Sequence, residues 1–206
     1  MTHVTGAPAV VVVLTGGTAR RLGGAPKTAL DVGGRSPLRR LLDDVAPLPT
    51  VVVGEPQDVG HEVLWAREQP VGGGPLAGVG AGVAAVRAAH PGPAVVVVLA
   101  GDQPFAGPAV GALLAALDAD AAVDAALAVG PDGRPQPLLA AYRLAAVRER
   151  LAQDLHGRPA RDLVAGLRTV GVAVSAATVL DVDDADDLAA ARRVAASLSP
   201  RPRAPR

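Results

Sequence analysis

Cysteine is absent from the 206-residue chain, which excludes disulfides, thiolate zinc sites and cysteine nucleophiles. Aromatics are scarce: one Trp, one Tyr and one Phe leave Val, Leu and Ala to fill the core. Net charge is lacking too. The 20 Lys and Arg residues balance 20 Asp and Glu, so broad electrostatic attraction to nucleic acid is not expected, while local basic patches stay open. Four histidines (His3, His61, His90 and His156) are scattered without metal-ligand spacing. No apolar run approaches the roughly 18 residues of a membrane span. The first apolar run has no basic stretch ahead of it, as a signal peptide would require. These absences predict a cytoplasmic protein that engages neither nucleic acid nor membrane.

What remains is enough for one domain, placed at residues 1–198. A chain of this length buries roughly 70% of its unfolded surface. Residues 199–206, SPRPRAPR, read as a disordered Pro/Arg tail. Along the domain, strand patterns alternate with helix patterns. Continuous Val-rich runs predict buried strands at 9–14, 50–54 and 94–100, with further strands at 62–66, 123–129 and 137–143. Edge strands are expected at 169–174 and 178–182. Helices are expected at 36–46 (Ser36 as N-cap, Pro37 in the first turn), from Pro75 to 90, and at 107–119, 144–155, 159–167 and 184–198. Such alternation builds an α/β domain with a mainly parallel sheet and helices on both faces. Its ligands bind beyond the carboxyl ends of the strands.

Two chemistry-bearing segments fall at such ends. The first is LTGGTARRLGGAPK, directly after the first strand. Gly16 and Gly17 let the backbone turn and approach a ligand, and successive N–H groups in such a turn hold anions. With Arg20, Arg21 and Lys27 on the same connection, the segment reads as a triphosphate cradle. It is not a P-loop, because Pro26 and not Gly precedes Lys27, and it does not fit the dinucleotide pattern. The second is GDQP. Asp102 ends a strand there and Pro104 stops it from continuing. Mg²⁺ takes one or two carboxylates plus phosphate oxygens and water, so Asp102 is a candidate ligand, with Asp183 or Asp181 as a second. The acids of DDADD also suit the start of the last helix without any catalytic role, and Asp184 suits its N-cap. Gly74, Pro75 and Gly78 form a helix start with free N–H groups. Arg158 and Arg161 either meet an acceptor phosphate or belong to a solvated helical face.

LTGGTARRLGGAPK resembles the glycine-, arginine- and lysine-bearing signature of the nucleotidyltransferase family typified by molybdenum cofactor guanylyltransferase. GPLAG (74–78), GDQPF (101–105), RPQPLLAAYR (134–143) and DVDDADDL (181–188) follow in the family's order over nearly the whole chain. The resemblance implies a single three-layer domain of the Rossmann-like, glycosyltransferase-A type. It implies Mg²⁺-dependent transfer of GMP from GTP to the terminal phosphate of molybdopterin, with release of pyrophosphate. Leu14, Thr15, Gly16 and Gly17 would wrap the nucleotide, and Gly54 and Gln69 fall at nucleotide-associated positions. Arg21, Lys27 and Asp102 would be catalytic: Lys27 on the phosphates with Arg21 in support, and Asp102 on the metal with Asp183 as a second ligand. Gly16-Gly17 matches the guanine users of the family. The sequence departs from the pattern at Thr15 (usually Ala), Gly54 (often Asn), Gln69 (usually Asp) and DVDDADDL (often NVNTPEDL). The alternatives are cytidylyl transfer to the same pterin, nucleotidyl transfer to another phosphorylated metabolite, and a nucleotide-binding regulatory domain without turnover. A monomer that meets partner enzymes transiently is expected.

Overall fold

Side chains branched at Cβ pack well on a pleated surface, and runs of valine build the centre of this molecule. The computed structural model describes residues 8–16, 27–90 and 92–198; the 199–206 tail lies outside them. Its elements are β1 (Ala9–Leu14), α1 (Pro37–Val45), β2 (Thr50–Val53), β3 (Leu64–Ala66), α2 (Pro75–Ala89), β4 (Val95–Ala100), α3 (Val110–Asp118), β5 (Ala125–Val129), β6 (Pro135–Arg143), α4 (Leu144–Leu151), β7 (Thr169–Ala173) and α5 (Ala185–Leu198). The strands form one seven-stranded sheet in the order β3-β2-β1-β4-β6-β5-β7. Neighbours are parallel except around β6, which runs antiparallel to both β4 and β5. The result is a single α/β domain with a mostly parallel sheet.

Period-two alternation along the central strands feeds two cores. Val11, Val13, Val97 and Leu99 pack against Leu38, Leu41 and Leu42 of α1 and Leu113 and Leu117 of α3. Val10, Val12, Val96 and Val98 pack on the other face against Leu76, Val79, Val83 and Val86 of α2. The small residues of α2 let it lie flush on the sheet: a side chain at Gly82 would run into Val12 and Val53. A third cluster joins Leu188, Ala191 and Ala195 of α5 to Val32, Phe105 and Val182. That cluster fixes the last helix beside the GDQP segment. The chain leaves β1 for β2 and β3 on one side, then returns to β4 on the other. The crevice between β1 and β4 is therefore the switch point where such sheets bind ligands.

Several boundaries differ from the sequence reading. Residues 178–182 are not a strand. Ser175 and Thr178 close a local turn through their hydroxyls (2.9 Å), and Thr178 N–H donates to Ser175 Oγ (3.2 Å). Such side chains offer the backbone an alternative to a sheet ladder. Val182 N–H then donates to the Asp102 carbonyl at 3.1 Å. The helix expected at 159–167 is only a short 3₁₀ turn, Ala160–Leu163, bounded by Pro159 and by Gly166 at φ 72°. α4 ends at Leu151, ahead of the expected 155. Asp154 there turns the chain by accepting from the His156 N–H at 3.0 Å. No helix among the described residues is long and apolar enough to cross a membrane.

Candidate active site

β1 and β4 end side by side, and tight backbone joins lock their ends together. Gly101 N–H donates to the Leu14 carbonyl at 2.8 Å. A Cβ on Gly101 would stand 3.1 Å from that oxygen and 3.2 Å from Thr15 and Thr28 methyl carbons, so glycine permits the approach. Thr15 donates to the Val53 carbonyl twice, from N–H and from Oγ1, each at 2.9 Å. Gly54 completes the join. Its φ of 150° favours glycine, and a side chain there would strike Thr15 Oγ1. These contacts bring Leu14, Gly16 and Asp102 to one cleft of about 380 Å³. The cleft is also lined by Glu68, Gly72 and the N-terminus of α2 (Gly74, Pro75, Gly78), which has no side-chain cap.

Charge concentrates at the β4 end. Lys27 Nζ donates to Asp183 Oδ1, across 156 residues of sequence, and lies 3.8 Å from Asp102 Oδ2. Burial pushes the Asp102 carboxyl above its usual range. Lys27 opposes that shift, and Asp181 and Asp183 add to it. Burial and then Asp183 push Asp181 up as well. Burial works against the Lys27 ammonium, yet the Asp183 hydrogen bond and the fields of Asp183, Asp102 and Asp181 outweigh it and raise its pKa.

The acids of DDADD divide between two roles. Asp184 Oδ1 accepts from the N–H groups of Asp186 and Asp187 at 3.0 and 3.1 Å, and Asp187 Oδ2 accepts from those of Asp183 and Asp184 at 3.1 and 3.2 Å. This reciprocal arrangement caps α5. Asp184 and Asp187 are thereby occupied, while the Asp183 carboxylate faces Lys27.

The donor set suits Mg²⁺. One ammonium already engages Asp183 while standing close to Asp102, so one cation can lie between them. Both are hard oxygen donors. Among the described residues no group of three or more His, Cys, Asp or Glu is arranged to hold a metal. An ion here would therefore complete its shell with phosphate oxygens and water, as Mg²⁺ prefers.

Of the residues singled out from sequence, Leu14, Gly16 and Asp102 line the cleft, Lys27 and Asp183 join Asp102, and Thr15 and Gly54 interlock where β1 and β2 end. Gly17 and Arg21 lie outside the described residues. Gln69 is exposed and lines a separate hollow beside α2, together with Gln153 and His156. Its neighbour Glu68 borders both that hollow and the cleft, with Oε1 accepting from Gly72 N–H at 3.1 Å. Sequence reasoning passed over Glu68; the available signal was an acid one residue before the expected position. Leu138 of β6 was quoted within its motif, and it too lines the cleft. Arg158 is engaged by Asp162 Oδ2 (3.0 Å) and Gln153 Oε1 (3.1 Å). Its neighbour Gly157 donates to the Gly73 carbonyl at 2.8 Å, which sets this segment against the cleft wall.

Known proteins share this arrangement of strands. A molybdopterin-guanine dinucleotide biosynthesis protein A from Archaeoglobus fulgidus superposes with a TM-score of 0.69 at 26% identity, over 91% of this chain and 99% of that one. A 2-C-methyl-D-erythritol 4-phosphate cytidylyltransferase from Thermus thermophilus has a TM-score of 0.63 at 21% identity, over 91% and 99% of the two chains, and so shares the fold. In sequence, the chain is 34% identical over 137 residues to a molybdenum cofactor guanylyltransferase from Rhodopseudomonas palustris (strain BisB5). That match spans 64% of this chain and 65% of that protein, just under two thirds of its length. The glycine loop, the GDQP segment and nearly all of the sheet that joins them fall within residues 11–172, the span matched by the model of the MobA-like NTP transferase domain, and the chain belongs to that family of nucleotidyltransferases.

Proposed function

We propose that the protein transfers the guanylyl group of GTP to the terminal phosphate of molybdopterin and releases pyrophosphate. The observation that carries the reading is the Lys27–Asp102–Asp183 grouping at the joined ends of β1 and β4, at one end of a cleft that also holds Leu14 and Gly16. The activities named for the Rhodopseudomonas and Archaeoglobus relatives support it.

In this reading the acceptor's phosphate oxygen attacks the α-phosphorus of GTP. A new O–P bond forms, the bond from the α-phosphorus to the bridging oxygen breaks, and pyrophosphate leaves with that electron pair. The nucleophile is an ionised phosphate monoester with a second pKa near 6, so no general base is needed. The difficulty is to bring two anions together and align them. Lys27 would trade its carboxylate partners for phosphate oxygens, with Arg21 in support. Gly16 would admit the phosphates, and Leu14 and Leu138 would cover the nucleoside. Asp102 and Asp183 would hold Mg²⁺, which when bound supplies positive charge to the phosphate oxygens.

The test is incubation with molybdopterin, Mg²⁺ and either GTP or CTP, with pyrophosphate measured and the product weighed by mass spectrometry. A guanine dinucleotide is expected. A cytosine dinucleotide alone would replace the reading with cytidylyl transfer. Turnover only with another phosphorylated acceptor would correct the acceptor, and binding without pyrophosphate release would leave a regulatory domain.

A further inference from the structure

Besides the cleft and the hollow beside Gln69, a third cavity, of about 490 Å³, opens between α2 and α4. It shares Gly80 and Ala84 with that hollow and no lining residue with the cleft. Its volume lies in the range of sites that hold small molecules. Gly92 and Pro93, just before β4, border it, and so does Leu144, which follows β6. β6 runs antiparallel to β4, so the cavity sits at the amino end of β4, whereas the cleft opens at its carboxyl end. Arg87 stands nine residues past Gly78, the last α2 residue in the cleft, or roughly 13 Å further along the helix axis. Local backbone bonds shape the walls: His90 N–H donates to the Val86 carbonyl at 2.8 Å, and Leu144 N–H to the Ala94 carbonyl at 2.9 Å.

The lining divides by chemistry. Val83, Pro93, Leu144 and Leu151 make part of it apolar. Arg87 of α2 and Arg148 of α4 border it from two different helices, His90 borders it after the end of α2, and no Asp or Glu lines it. Several other arginines are engaged: Arg35, Arg67 and Arg168 pair with acids, and Arg40, Arg143 and Arg150 hold carbonyls. Among the described residues the Arg87 and Arg148 side chains have neither kind of partner. Each sits in the last turn of its helix, where the macrodipole favours a cation. That accounts for one arginine per helix, but not for two of them beside one acid-free cavity.

We propose that this cavity is a second binding site, for a phosphate monoester carried on an apolar body. A guanidinium is planar, weakly hydrated and forked, and it pairs with phosphate through two parallel hydrogen bonds. A phosphate monoester carries a charge of about −1.5 to −2 at pH 7, which matches two guanidiniums. A carboxylate brings only one charge. Inorganic phosphate would satisfy the arginines and leave the apolar part of the lining in water, whereas an apolar body on the ester covers it.

An NMR titration of the full chain with phenyl phosphate tests the site, with benzoate and inorganic phosphate as comparisons. The amides of Gly80, Val83, Arg87, Leu144 and Arg148 should shift along one saturating curve, separate from any change at Gly16 or Gly78 in the cleft. Phenyl phosphate should bind more tightly than either comparison. Arg87→Ala and Arg148→Ala should each weaken it by about tenfold or more, as expected for the loss of a hydrogen bond between charged groups. Arg193, exposed on α5, is the control. Arg193→Ala should leave the affinity within about twofold, because a distant surface charge is screened. Circular dichroism checks the folding of each variant. Shifts confined to the cleft, an equal loss in Arg193→Ala, or Arg87 and Arg148 variants that bind like wild type would each overturn the site. Benzoate binding as tightly as phenyl phosphate would overturn the phosphate assignment, and inorganic phosphate doing so would overturn the apolar body.

Discussion

Lys27 is the only lysine in a chain otherwise supplied with arginine, and it stands among Asp102, Asp181 and Asp183. A compact ammonium can approach a single oxygen in a crowded glycine turn, where a planar guanidinium fits poorly. If it stabilises charge that builds up in the transition state, Lys27→Ala should lower kcat by about 10²–10³. Lys27→Arg should recover only part of that, because charge returns without the geometry. Steady-state kinetics on both variants, with folding checked by circular dichroism, decides the matter. A raised KM with kcat unchanged would reduce Lys27 to a binding contact. Full recovery in the arginine variant would show that charge alone matters. The sequence marked Lys27 as a phosphate ligand, and it could not reveal that the same ammonium is held by Asp183 from the far end of the chain.

Thr15 and Gly54 make a second residue-scale case. Each departs from the usual family residue, and the structure couples the departures. The Thr15 hydroxyl occupies the space that a side chain at position 54 would need. Gly54→Ala should therefore lower the melting temperature and weaken GTP binding, by displacing Thr15 from the Val53 carbonyl and by straining φ. In a Thr15→Ala background the same change should do less harm, with a coupling energy of about 0.5–3 kcal/mol. A double-mutant cycle measures it, and strictly additive losses would show that the two positions are independent. From sequence these were two unrelated substitutions. Only the proximity of the two loops makes them one.

Among the elements, β7 shows how an edge strand is anchored. Among the described residues it pairs only with β5, and just before it the Arg168 backbone N–H and guanidinium donate to the Asp124 carboxylate at 2.9–3.3 Å. The Arg168 side-chain and backbone hydrogen bonds hold the Asp124 pKa below its usual value. A depressed carboxylate contributes stability above its unfolded pKa near 3.9 and loses that contribution as pH falls through the lower folded value. Asp124→Asn should thus lower the melting temperature at pH 7, and the gap to wild type should close as pH drops below about 4. Thermal melts across that range check it; a gap independent of pH would mean that the contact acts without charge. The β1, β2 and β4 strands were legible because burial on both faces demands continuous Val-rich runs. The helix of α1 was legible because Ser36 and Pro37 announce it, and Ser36 Oγ does accept from Arg39 N–H at 3.2 Å. The 178–182 segment misled because Thr-Val-Leu satisfies β propensity, while its hydroxyl-rich approach gave the backbone local partners instead.

At the scale of the whole molecule, the cleft exists only because distant segments converge on the β1–β4 crevice: the loops after β1, β3 and β4, the start of α2, one residue of β6, and Asp183 at the start of α5. A ligand that bridges them should stabilise the domain as a unit. GTP with Mg²⁺ at 100 times its Kd should add about 2.7 kcal/mol, which for a domain of this size raises Tm by roughly 5–10 °C. Asp102→Asn should remove the Mg²⁺-dependent part of that shift in a thermal-shift assay. A variant that keeps it would exclude Asp102 from metal binding.

The sequence by itself determined the α/β class, most of the elements, the glycine loop with its lysine, and an aspartate at a strand end. These are written in short windows, where period, propensity and capping act locally. The tertiary structure decided what no window contains. It inserted β6 in reverse between β4 and β5, brought Asp183 to Lys27, matched Thr15 to Gly54, and placed Glu68 but not Gln69 at the cleft. Each of these depends on which distant segments pack or pair. Glu68 and Gln69 follow β3 in adjacent loop positions, so which of them reaches the cleft is set by the sheet and α2 that flank them.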